Sequence, residues 1–122
     1  MRQAIEACPA VTQFSLDVEK RDTYEGFIRA EIRFVNGAIL QVREFVAVET
    51  GIERDMYAYQ YMSAEQALIF RYDNTPHHRK LILPNFPHHQ HVGSEANVLA
   101  SNAPLLGDVL AEIQAQLGQG ES

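Results

Sequence analysis

The tightest constraint on this chain is a run with a strict two-residue period that ends in a turn. In residues 24–35 (YEGFIRAEIRFV), Ile28, Ala30, Ile32 and Phe34 alternate with Arg29, Glu31 and Arg33. An extended backbone therefore puts an apolar row on one face and a charged row on the other. Asn36-Gly37 follows, and both residues tolerate the positive φ of a two-residue type I′ turn. Residues 38–48 resume the pattern with Leu40, Val42, Val46 and Val48 in phase, which predicts a hairpin. Phe14, Leu16 and Val18 alternate in 13–19 and predict a preceding strand. Residues 55–62 and 67–72 read as two more, separated by the polar turn Ser63–Gln66. Links this short fit an antiparallel meander, because parallel strands need long crossovers.

The period changes near the C-terminal end. Leu106, Val109, Leu110, Ile113 and Leu117 form a helical stripe, with Pro104 suited to the first turn and Gly118 and Gly120 to stop it. Residues 2–7 read as the end of a short helix before Pro9. The expected fold is α+β: a curved antiparallel meander of about five strands on a C-terminal amphipathic helix, with a His-rich loop. It is expected to be one domain over 1–122, with 117–122 as a disordered tail.

Charge and cysteine content narrow the function. The net charge of −6 is even, with 7 basic and 10 acidic residues in 1–61 against 3 and 6 in 62–122, so each half carries −3. That argues against coating bulk nucleic acid, while leaving room for a local phosphate site. A single cysteine, Cys8, excludes an internal disulfide and a cysteine-rich zinc site. No apolar run approaches a membrane span and no signal segment opens the chain, so a cytoplasmic location is expected and no membrane partner.

All 5 histidines fall between positions 77 and 91: His77, His78, His88, His89 and His91. Three readings compete. The first is a metal site, zinc being the natural ion, in which His89 and His91 share a strand face. His77 or His78 completes the three nitrogens, and Asp73 ligates or orients. The second is metal-free acid–base chemistry, in which imidazoles titrating near neutral pH act on a phosphodiester. Arg79 and Lys80 then hold the phosphate. The third is structural: Asp73-Asn74, Thr75-Pro76 and Phe86-Pro87 are turn chemistry, and the imidazoles satisfy loop carbonyls. Tyr57, Tyr59 and Tyr61 share a strand face, which suits either base stacking or sheet packing. Cys8 has no activating neighbour and reads as structural.

Two motifs carry a family resemblance. The run Ile69-Phe70-Arg71-Tyr72-Asp73-Asn74-Thr75-Pro76-His77-His78, then Phe86-Pro87-His88-His89-Gln90-His91-Val92-Gly93, resembles the TumE-type toxin family. Gly26-Phe27-Ile28-Arg29, Asn36-Gly37, Arg43-Glu44-Phe45-Val46, Tyr57-Ala58-Tyr59 and the closing helix fall in the expected order. Gln60 stands where the family usually has a histidine, and the Arg79–Asn85 loop is slightly longer than its counterpart. The resemblance implies a cytoplasmic bacterial toxin acting on RNA or translation, with a helix-turn-helix antitoxin encoded beside it.

Residues and resemblance together give an expected site. Its catalytic candidates are His77, His78, His88, His89, His91, Tyr72 and Asp73, and its substrate-binding candidates are Arg71, Arg79, Lys80, Tyr57 and Tyr59. Metal-free chemistry on RNA is preferred and no cofactor is assigned. Zinc on His77, His89 and His91 is the alternative, as is a non-enzymatic module whose histidine loop is a recognition surface. At least three of the imidazoles are expected to meet in one cleft.

Overall fold

The central hairpin forms where the alternation places it, but through a different turn. The computed structural model describes residues 2–20, 25–47, 53–74, 88–94, 96–101 and 104–119. Strands β2 (Glu25–Phe34) and β3 (Ile39–Ala47) pair antiparallel, with Ile32 opposite Leu40 and Ala30 opposite Val42. Gly37 has a φ of +84° and Asn36 is not in the left-handed region, so this is not type I′. The Phe34 N–H donates to Ala38 O and the Gly37 N–H to Phe34 O, which encloses a three-residue loop ending on a left-handed glycine. Asn36 Oδ1 accepts from the Ala38 N–H at 3.1 Å and locks the loop.

The sheet extends in chain order on both sides. β1 (Val11–Lys20), β2, β3, β4 (Glu53–Met62), β5 (Leu68–Asp73), β6 (His89–Val92) and β7 (Val98–Ala100) lie in the order of their numbers, each antiparallel to the next. The sequence foretold five strands; β6, at the end of the histidine segment, and β7, after it, are additions. Cross-strand register aligns the side chains in rows. Phe14, Ile32, Leu40, Tyr61 and Phe70 form one, and Leu16, Ala30, Val42, Tyr59 and Tyr72 the next. These rows build the apolar face, on which Ile32, Leu40, Val42, Tyr57 and Tyr59 are essentially inaccessible.

Helix α2 (Leu106–Gln119) covers that face with Leu106, Val109, Leu110 and Ile113, all buried. Asp108 Oδ2 accepts from the Leu105 N–H at 3.0 Å, so the cap lies at Leu105 and Pro104 precedes the helix rather than opening it. The helix runs through Gly118 instead of stopping there. Helix α1 (Arg2–Glu6) buries Ile5 in the same core, and Gln114 Oε1 of α2 accepts from the Ala10 N–H at 3.1 Å. Among the described residues, no helix is long and apolar enough to cross a membrane.

Candidate functional site

The opposite face of the sheet carries the polar rows, and their β5–β6 end gathers the chemistry. Asp73 is the register partner of His89, and Arg71 of His91 and of Gln60 on β4. Phe70, Tyr72 and Gln90 occupy the intervening positions and point to the helix side. Strand parity then sends Arg71, Asp73, His89 and His91 together to the other face.

The four side chains form one contact network. Arg71 Nε donates to Asp73 Oδ2 at 2.9 Å, and Arg71 Nη1 donates to Gln60 Oε1 at 3.3 Å. Arg71 Nη2 lies 3.1 Å from His91 Nε2; a guanidinium can only donate, so that nitrogen accepts and the imidazole proton sits on Nδ1. His91 Nε2 is 3.8 Å from Asp73 Oδ2, and His89 Nε2 is 2.7 Å from Asp73 Oδ1. The His89 contact lacks the alignment of an N–H···O hydrogen bond. The two imidazoles meet edge to face with centroids 4.9 Å apart. Asp73, His89 and His91 are 2%, 2% and 1% exposed, whereas the Arg71 side chain keeps 23%. One donor atom from each of Asp73, His89 and His91 lies within 4.8 Å of the others, so these three could hold a metal ion. A carboxylate and two imidazoles suit zinc and its first-row neighbours and leave coordination positions open.

The remaining expected site residues lie elsewhere. His88 precedes β6 and turns to the helix side, where its ring stacks on Tyr57 at 5.7 Å and 18° and its Nδ1 is 2.9 Å from Tyr57 Oη. Of the three described histidines, two therefore converge and one does not. Tyr57 and Tyr59 are fully buried in the core and offer no ring face to a base. Tyr72 also faces α2: its hydroxyl donates to the Glu112 carboxylate at 2.9 Å and accepts from Gln90 Nε2 at 3.0 Å. Burial first, and then the bonded and negatively charged Glu112, push the Tyr72 phenol well above its usual range. His77, His78, Arg79 and Lys80 lie outside the described residues. Sequence reasoning named Gln60 only as a departure from the family pattern and gave it no site role; its parity within 55–62, opposite to that of the tyrosines, was the available signal.

The comparisons agree with the fold and the motifs. The family model described as Toxin TumE matches residues 1–117. No curated protein and no solved structure matched the chain. The match spans nearly the whole chain, so the protein belongs to the TumE toxin family, and a toxin of this kind implies an antitoxin partner.

Proposed function

We propose that this member of the TumE toxin family acts on RNA in the bacterial cytoplasm and is neutralised by a helix-turn-helix antitoxin encoded beside it. The centre of its action is the Arg71, Asp73, His89 and His91 cluster. One observation carries the reading: the partly exposed guanidinium of Arg71 is fixed from behind by Asp73, His91 and Gln60. A planar donor fork held in place is the group best suited to the oxygens of a phosphodiester. In this reading Arg71 meets the phosphate, and Asp73 holds Arg71 and His89. His91, in contact with the guanidinium, is the nearest imidazole for proton transfer.

The near-complete burial of Asp73, His89 and His91 favours a second reading, in which the cluster pins β6 to β5 and the toxin works by binding alone. One experiment separates them. Arg71→Lys and His91→Gln variants are expressed without the antitoxin, and growth, total RNA integrity and melting temperature are followed. Loss of RNA cleavage in folded variants supports the first reading, since Lys keeps the charge but loses the fork. Growth arrest with intact RNA in the parent removes RNA as the target, and full toxicity in folded His91→Gln leaves the binding reading.

A further inference from the structure

We propose that Asp73, His89 and His91 form a site for one divalent transition-metal ion of the zinc class. This rests on the same cluster as the reading above and names the cofactor that cluster would take; in the loaded chain His91 is a ligand and no longer the group that transfers a proton.

The donor atoms converge as a shared ion requires. Ligand distances of about 2.0–2.2 Å put two donors of one ion no more than roughly 4.4 Å apart, so small side-chain shifts bring these three to one ion. The mutual limit in this cluster is 4.8 Å, and the two carboxylate–imidazole approaches are 2.7 and 3.8 Å.

The strands hold these donors in advance. Asp73 and His89 are register partners and His91 is two residues along the same strand, so the β5–β6 ladder fixes all three. Burial adds a second argument: a carboxylate taken out of water beside two imidazoles is stabilised by a compact cation. Two nitrogen donors select against magnesium and calcium, which take oxygen shells.

Arg71 is the internal competitor. It touches the same His91 nitrogen that faces Asp73, so loading moves the guanidinium off His91. Asp73 Oδ2 is still available to it, and Arg71 becomes the outer-shell partner that orients the carboxylate.

The test uses the full-length chain without a histidine tag, stripped with chelator and dialysed against zinc. Elemental mass spectrometry is expected to find one equivalent. It should fall in Asp73→Asn, His89→Gln and His91→Gln by more than the ~10–100-fold affinity loss typical of outer-shell changes. His88→Gln, whose ring is on the other face, should keep it. A parent chain that retains no stoichiometric ion overturns the proposal, as do folded ligand variants that retain it. Should those variants unfold, the Cu2+ electron paramagnetic resonance spectrum of the parent reads the donors directly. Nitrogen coupling from two imidazoles supports the site, and any other nitrogen count overturns it. RNA cleavage is assayed separately: a loaded chain that leaves RNA intact retains the metal site and refutes the RNA reading, and cleavage by a chain that binds no ion does the reverse.

Discussion

Asp73 Oδ1 lies 2.7 Å from His89 Nε2 across the β5–β6 pair, while its other oxygen accepts from Arg71 Nε at 2.9 Å. One buried carboxylate thus ties a strand that sequence periodicity reveals to one that it does not. Removing it strands a guanidinium and leaves two imidazoles against an empty corner. Asp73→Ala is expected to destabilise the protein by about 3–5 kcal/mol, the usual cost of breaking a buried ion pair from one side. Urea unfolding measures this, and a loss below about 1 kcal/mol would place the pair among weak surface contacts.

Removing Arg71's competition has the opposite sign for metal. Arg71→Met deletes the cation beside His91 Nε2 and leaves Asp73 and His89 in register. Zinc affinity, followed by isothermal titration, is expected to rise. A fall would mean that Arg71's hold on Asp73 Oδ2 matters more than its repulsion of the ion.

Alkaline stability should report on Tyr72. In the unfolded chain its phenol titrates near 10.0, whereas burial and Glu112 raise it in the folded protein. Above that pH the folded state keeps a proton that the unfolded state has lost, so stability falls as pH rises. The contribution is complete below pH 10 and is lost on the way to the folded-state value. Tyr72→Phe is expected to lower stability at neutral pH by about 1–2 kcal/mol through its lost hydrogen bonds, and to flatten the decline above pH 10. Melting temperatures from pH 7 to 11.5 check it, and parallel curves for parent and variant would contradict it.

The long elements were legible because one face of each is buried. Ile28 to Phe34 alternate and Leu106 to Ile113 recur at helical spacing, so core contact imposed the pattern that the sequence displays. The β6 segment His89-Gln90-His91-Val92 and the three residues of β7 have no such pattern of their own; pairing with β5 makes them strands. Parity placed His89 with His91, but nothing in the sequence says that this pair faces Arg71 and Asp73. That depends on which strands become neighbours. Glu44 shows the same limit, since it is buried on the apolar face opposite Tyr57 although its type suggests solvent. The type I′ expectation failed because Phe34 pairs with Ala38, one residue wider than a two-residue loop.

The turn itself gives a sharp stability test. At a φ of +84° an L side chain is strained, and a Cβ on Gly37 would sit 3.1 Å from the Ala64 Cβ. Gly37→Ala is expected to cost about 1–2 kcal/mol, and Gly37→Asn less, because Asn tolerates the left-handed region better. Equal melting temperatures for parent and Ala variant would show that the loop relaxes into another turn.

The two faces of β6 give the last test, because neighbouring histidines should behave differently. His91 lies in the Arg71 cluster, whereas His88 stacks on Tyr57 beneath the helix side. Gln in place of His91 can still accept from Arg71 but cannot carry a proton near neutral pH or replace an imidazole ligand. Loss of one proton-transfer group typically costs about 10²–10⁴-fold in rate, so His91→Gln should abolish growth arrest. His88→Gln gives up its contact with the Tyr57 hydroxyl, at about 1 kcal/mol, and should remain toxic. Both variants are expressed without the antitoxin, with growth and melting temperature read together so that unfolding is separated from lost chemistry. A toxic His91→Gln beside an inactive, folded His88→Gln would move the site to the opposite face of the sheet.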